Sequence, residues 1–586
     1  MVWNTEILYK GMSDPQIERD IETAQRKNAL FVSKWTKDQR YLNNPRVLLS
    51  ALTEYEELQR RYGQCTKPYY YFYLLNSLDQ TDTDIKARLN QISEIATKLE
   101  NQIQFFELNI SKVDEDQQKK FLKSPLLRNY KHYLERLFAV SKYLLSDKEE
   151  QVFNLTSKTS HSNWVNMVSE LLDKQKIEVK DENNKKIEIS YNEISRFLDS
   201  KDRKVRDYAA KQYNQVNGKY LEIAEFEMNS ILENKKIADE YRGVSRPDLT
   251  RYIGDDMDTE VIDMVAKVVT ENFDIPQKYY VLKAKQLNQR KLKYYERNVP
   301  IGDIHLEYSY DEGMDLVKRT FKNLDKSFLE VVEKFERNGQ YDVYPREGKS
   351  GGGFCVTVSN DLPTYILLNH TNKLNDVLTI AHESGHGIHS EFSRTQSELN
   401  SGHPTSLAEV ASTFFEDFVL EEILKDSSDD VKHTVMYQKM NNDISTIFRQ
   451  IAFLNFEKEL HEKFRSNGYL SKEHISDLFV KHMKAYMGDV VTDDDSMRYG
   501  WIYVSHFRRF FYVYSYATGL LISKALQSMV KEDKRNIALV KKFLSAGSTK
   551  SPKEIFKDMG IDITKKEFWL KGIKEIERNF DCYSKV

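Results

Sequence analysis

The sequence predicts a mainly α-helical protein of more than one subdomain, and three observations carry that expectation. Only 11 prolines and 22 glycines punctuate 586 residues, so few positions force a break in a helix. Long stretches repeat apolar residues at three- and four-residue steps with charges between, the period that gathers side chains on one helical face. A chain of this length also exceeds what one hydrophobic core supports, so two or more subdomains are expected.

Taken in order along the chain, "LLRNYKHYLERLFAVSKYLL" reads as a core-facing helix, with Leu127, Tyr130, Leu134, Leu137 and either Phe138 or Val140 on one face. "KIEVKDENNKKIEISY", residues 176–191, alternates apolar and polar residues on both sides of an Asn-rich turn and predicts a small hairpin. Helices resume at "SKDRKVRDYAAKQY", which places a boundary between an N-terminal region, 1–195, and a larger unit, 196–586. "EGKSGGGFCVTVSNDLPTYILLNHTN" then interrupts the helical texture with two β-rich runs around an Asn-Asp-Leu-Pro turn. Its glycines 351–353 precede the first run, as in an edge strand whose backbone could pair with an extended peptide, or in an ordinary glycine-rich loop. No internal repeat or low-complexity tract stands out.

Composition excludes several function classes. Lys plus Arg number 87 against 90 Asp plus Glu, interleaved along the chain, so no global field draws in nucleic acid or an anionic membrane. Cys65, Cys355 and Cys582 are odd in number and widely separated, which suggests neither a disulfide framework nor a cysteine metal site. The start, "MVWNTEILYKGMSDPQ", has no basic flank followed by an apolar run, and cytoplasmic location is the expectation. The most apolar stretch, "FFYVYSYATGLLIS", is laced with tyrosines and predicts no membrane span.

Directly after the β-rich runs comes "DVLTIAHESGHGIH". On a helix, His382 and His386 stack four residues apart and can turn their imidazoles to one ion. Glu383, beside the first of them, stays off the ion but within reach of a water on it, the place of a general base in zinc peptidases. A catalytic zinc takes three protein ligands, so one more is required. Glu409, 27 residues after His382 in "HPTSLAEVASTFFEDF", is the leading candidate, but Ser406 to Glu409 also reads as a helix capping box, and spacing alone leaves both readings open. Glu416, on the same face, could orient a ligating histidine or simply be a solvated charge. Gly385 and Gly387 each cost a helix interior about 1 kcal/mol, which makes sense if another backbone approaches there. His389, one turn on, reads either as a hydrogen-bonded structural histidine or as a group near substrate.

"HESGHGIH" together with "LAEVASTFFEDF" resembles the oligoendopeptidase F and thimet oligopeptidase family of zinc metallopeptidases. "YKHYLERLFAVSKYLLSDKEEQVFNLTSKTSHSNWVNMVSELL" is similar to the family's N-terminal lobe, and "SPKEIFKDMGIDITKKEFWLKGIKEIE" to the oligoendopeptidase F C-terminus. The resemblance implies a two-lobed helical zincin-type body enclosing a deep channel, a small sheet beside the metal helix, and short oligopeptides as substrates. It makes Glu409 the third ligand of one zinc per chain, with His382 and His386. It also implies that a histidine and tyrosines of "GWIYVSHFRRFFYVYSYATG" stabilise the oxyanion: His506, Tyr512, Tyr514 and Tyr516 are the candidates. Phe511 falls where one alignment expects a hydroxyl, which leaves Tyr514 favoured, although such rings also serve to pack a core helix. The expected activity is therefore zinc-dependent endopeptidase action. The alternatives are a zinc carboxypeptidase of similar build, with Arg508 or Arg509 receiving the substrate carboxylate, and a non-catalytic peptide-binding protein. Oligomeric state is not written in these features.

Overall fold

The computed structural model describes residues 1–304 and 306–584. The fold is mainly helical, with a hairpin of β1 (Lys176–Lys180) and β2 (Lys186–Ser190) and a three-stranded sheet of β3 (Tyr341–Asp342), β4 (Phe354–Val356) and β5 (Tyr365–Leu367). Four helices carry or adjoin the candidate residues: α1 (Leu374–Ser393), α2 (Thr405–Lys425), α3 (Arg449–Asn467) and α4 (Tyr514–Glu532). No helix among the described residues is long and apolar enough to cross a membrane. Contacts group the chain into two units, each built from three separated stretches.

The first unit comprises Met1–Lys142, His305–Asp426 and Leu526–Asp562. Its N-terminal helices Gln16–Lys37, Pro45–Tyr62 and Thr83–Ser111 close around Phe31, Trp35, Tyr41 and Phe106. Phe106 meets Phe31 at 5.2 Å and Tyr41 at 5.1 Å between ring centroids, and each fully buried ring of this kind contributes about 1.5–3 kcal/mol. Asn44 and Asp82 start the second and third of these helices by accepting backbone N–H bonds from their first turns. The helix expected at 126–145 begins as a 3-10 turn over Pro125–Tyr130, and of the two alternatives for its inner face Phe138 is buried while Val140 is exposed.

A second aromatic cluster, with Trp3, Tyr9 and Tyr70, continues onto Tyr365 and Leu367 of β5. Trp3 Nε1 donates to Ile366 O at 2.8 Å, and Tyr365 Oη donates to Asn4 O at 2.7 Å. The N-terminus thereby fixes the sheet that flanks α1. Strand order is β3-β5-β4, with β3 parallel and β4 antiparallel to β5, and Cys355 opposite Ile366. β4 is therefore an edge strand, with the glycines 351–353 leading into it. Cys65 and Cys355 are free thiols; Cys582 lies outside the described side chains.

The second unit comprises Tyr143–Ile304, Ser427–Ala525 and Ile563–Val586. The hairpin expected at 176–191 is present, with Ile177 opposite Ile189 and Val179 opposite Ile187. It packs on the longest helix, Arg203–Tyr241, where Tyr191 Oη bonds Asn217 Oδ1 at 2.7 Å.

Candidate active site

α1 starts where the carboxylate of Asp376 accepts the backbone N–H groups of Thr371 and Lys373, at 2.6 and 3.0 Å. These bonds satisfy donors that a helix N-terminus would otherwise leave unpaired. The sheet holds α1 from one side, with Tyr341 Oη and Ser384 Oγ 2.8 Å apart. α2 holds it from the other, and the glycines explain how closely. A Cβ at Gly385 would lie 2.8 Å from Ser412 Cα and 3.1 Å from Ala411 O, so only glycine lets the two backbones approach this far. At Gly387 the close neighbour is the ring of Phe335, 2.5 Å from the position a Cβ would take. Gly385→Ala, which ought to gain about 1 kcal/mol of helix propensity, is instead expected to destabilise the protein by about 1–3 kcal/mol through overpacking and to weaken metal binding. Thermal unfolding and a zinc titration of the variant check both.

This close approach brings the carboxylate of Glu409 to the two histidines of α1. Glu409 Oε2 lies 3.3 Å from His382 Nε2 and 3.5 Å from His386 Nε2, with the imidazole rings 5.0 Å apart and steeply inclined at 79°. The capping alternative for Glu409 does not survive: Pro404 occupies the N-cap of α2, so Ser406 is already inside the helix and Glu409 is free to turn toward α1. Two further side chains aim this group. Glu416 Oε2 is 2.9 Å from His382 Nδ1; a carboxylate only accepts, so the ring donates from Nδ1, and Nε2, turned to Glu409, is the atom that can exchange its proton for a metal cation. Ser412 Oγ donates to Glu409 Oε2 at 2.9 Å. Sequence reasoning passed over Ser412, although its place one turn after Glu409 was a usable signal.

The donor set fits zinc. Ligands at about 2.0–2.1 Å from a tetrahedral ion sit about 3.4 Å from one another, close to the two spacings observed, and one ligand atom from each of His382, His386 and Glu409 falls within 4.8 Å of the others. The local field also calls for a cation. Burial disfavours the charged ring of His382, but Glu409 and Glu416 outweigh it and raise the histidine to about 10. Burial likewise works against the charge on Glu409, yet hydrogen bonds from His382 and His386 hold its carboxyl well below the usual range. Glu416→Ala, which removes only the partner of Nδ1, is expected to weaken zinc affinity about 10- to 100-fold, as read by competition with a chromophoric chelator.

Glu383 lies against Gly353 at the start of β4 and is buried at 7% exposure. Burial raises its carboxyl above the usual value, against the lowering pull of His382 and His386 and a hydrogen bond from the backbone N–H of Cys355 in β4. Gly353 makes room for this arrangement, since a Cβ there would lie 2.7 Å from Thr379 Cγ2 and 3.5 Å from Glu383 Oε1. His389 belongs to packing: its buried ring stacks on His403 at 4.1 Å and 12°, and it lies 5.6 Å from Phe543. Burial pushes both imidazoles toward the neutral form.

The remaining candidates lie in the second unit. His506 stands on a 3-10 turn, Ser505–Arg508, and its Nδ1 is hydrogen-bonded to Tyr512 Oη. Tyr516 completes the group, with ring centroids 5.8 Å from both His506 and Tyr512. Tyr514, the tyrosine favoured by the sequence, is placed differently. It is fully buried, donates to Asp255 Oδ2 at 2.8 Å and packs edge-on against Tyr252 at 5.0 Å. The reason is the backbone before it: Phe510 and Phe511 both adopt left-handed φ, 47° and 55°, at about 1–2 kcal/mol per residue, and this turn leads Tyr512 toward His506. Arg508 is also withdrawn from any substrate role, since it is buried and forms two bonds to Glu227, at 3.0 and 2.7 Å.

Two histidines four residues apart on a helix, a glutamate beside the first and a carboxylate from a neighbouring helix form the pattern of a metallopeptidase. Residues 196–575 match the model of Peptidase family M3, and residues 109–172 that of Oligopeptidase F. An oligoendopeptidase F homolog from Lactococcus lactis subsp. lactis is 25% identical over 582 residues, spanning 97% of this chain and 94% of its own. Among solved structures, a Chlamydophila abortus protein superposes with a TM-score of 0.91 at 24% identity, covering 100% of this chain and 98% of its own. Oligoendopeptidase-F from Enterococcus faecium superposes with a TM-score of 0.67 at 21% identity, covering 97% of this chain and 98% of its own. The chain belongs to Peptidase family M3, in which zinc-dependent hydrolysis of oligopeptides is typical.

Proposed function

We propose that the protein is a cytoplasmic endopeptidase acting on short oligopeptides, with one zinc ion per chain held by His382, His386 and Glu409. The convergence of two imidazole nitrogens and a carboxylate, with the buried Glu383 beside them, carries this reading. Bound there, zinc would polarise a carbonyl and lower the pKa of a water. Glu383 accepts the proton of the attacking water and then delivers it to the leaving amine; its raised pKa suits both halves of that task. His506 and Tyr512, with Tyr516 beside them, are the donors for the oxygen on which negative charge builds, a contribution of about 3–4 kcal/mol per donor in comparable sites. Tyr514 is given no part in this step because its hydroxyl already serves Asp255. β4, which begins directly after Gly353, is an edge strand of its sheet, and an extended peptide would pair with that edge as an added strand. Along the chain, the proposed division remains an N-terminal helical region, 1–195, and a catalytic region, 196–586.

The balanced charge of the chain supports peptides rather than nucleic acids as ligands. A peptide blocked by acetylation at its N-terminus and amidation at its C-terminus tests the mode of action. Cleavage at an internal bond, read by mass, is expected. Failure to cut the blocked peptide, with release of C-terminal residues from its unblocked counterpart, would indicate a carboxypeptidase instead.

A further inference from the structure

One buried acid in the second unit has no part in the reaction as described. Glu457, on α3, is 1% exposed. Its Oε1 accepts the backbone N–H of Phe511 at 3.0 Å, while Oε2 has no hydrogen-bond partner among the described residues. That N–H belongs to the second of the two left-handed residues and immediately precedes Tyr512. One turn further along α3, the buried ring of His461 lies 5.2 Å from Phe510 and 4.6 Å from Phe511. Beyond the turn, Arg251 stands 5.4 Å from the ring of Tyr512 and pairs at 2.9 Å with Asp255, the acceptor for Tyr514.

We infer that Glu457 is a positioning residue: by fixing the left-handed Phe510–Phe511 turn it sets the Tyr512 hydroxyl against His506. The inference rests on the reading that Tyr512 and His506 serve the reaction. A turn of two non-glycine residues at positive φ persists only where its surroundings hold it, and the Phe511 N–H ties the turn to a side chain from another element. Burial raises the Glu457 carboxyl to about 8, so a neutral amide is a close mimic of the group that accepts this bond.

Glu457→Leu is expected to lower kcat at least about tenfold with KM little changed, because displaced donors are lost chiefly in the transition state. Glu457→Gln, which keeps the acceptor, is expected to recover kcat to within about threefold of the parent. In a Tyr512→Phe background, Glu457→Leu should add less than about twofold, since both changes act on one hydroxyl. If the leucine variant does not fold, Glu457→Asp, which withdraws the acid by one methylene, carries the same expectations. Parent-like kcat in the leucine or aspartate variant, or a full multiplicative loss on top of Tyr512→Phe, would overturn the role of Glu457. Parent-like kcat in Tyr512→Phe alone would overturn the reading of Tyr512 and the inference with it.

Discussion

Replacing Glu383 with Gln is expected to lower kcat by roughly three to four orders of magnitude while the protein keeps its zinc and its fold. The substitution is nearly isosteric, so the close fit against Gly353 and Thr379 is retained. The amide oxygen still accepts the N–H of Cys355, so no backbone donor is orphaned. What disappears is the basic oxygen. An amide takes no proton from water at neutral pH and so has none to give the leaving amine, and both halves of the proton transfer fail together. Because burial already disfavours the charged carboxylate, removing the charge leaves stability unchanged or slightly improved. Steady-state kinetics beside metal analysis and thermal unfolding separate this outcome from simple loss of the site.

His386→Ala is expected to abolish activity by the other route, through the metal. Structural zinc sites with four ligands bind with about 10–16 kcal/mol, so one ligand of such a set accounts for about 3 kcal/mol, or roughly 100- to 1,000-fold in affinity. The loss at His386 falls at the upper end of that range, because the ring also holds Glu409 in place: with it gone, Glu409 Oε2 keeps His382 and Ser412 as its partners among the described residues. The fold itself is expected to survive loss of the ion. The aromatic cores around Phe106 and Tyr365 are built without it, so circular dichroism should match the parent while dialysed protein carries no zinc. Activity that survived dialysis with parent-like kcat would dissociate catalysis from His386.

These two residues were legible in the sequence because their geometry is local. Four positions on a helix suffice to put His382 and His386 on one face, with Glu383 beside them. The hairpin at 176–191 and the edge strand after the glycines were legible for the same reason, since alternation and turn chemistry act over a few residues. Glu409 was not fixed by its neighbours: a capping box fitted them equally well, and it is Pro404 at the N-cap, with the close approach at Gly385, that leaves its carboxylate beside the two histidines.

The tyrosines were less legible still. Five aromatic residues within seven positions could face several ways, and which of the tyrosines lie beside His506 depends on a left-handed turn at two phenylalanines, where local propensity would not place one. The group holding that turn, Glu457, lies 54 residues upstream. Its neighbourhood in the sequence reads as ordinary amphipathic helix, so no local pattern connects it to Tyr512. Likewise, nothing adjacent to Arg508 discloses Glu227, 281 residues away, which removes this arginine from the carboxylate-binding alternative.

Whether one ion sits between α1 and α2 is measured most directly by anomalous diffraction from crystals of the zinc-loaded protein, recorded on both sides of the zinc edge. The predicted result is a single strong peak about 2.0–2.2 Å from His382 Nε2, His386 Nε2 and a Glu409 carboxylate oxygen, with Glu416 still on His382 Nδ1. A fully active crystal form with no peak there, or a peak with Glu409 turned away from it, would contradict the account.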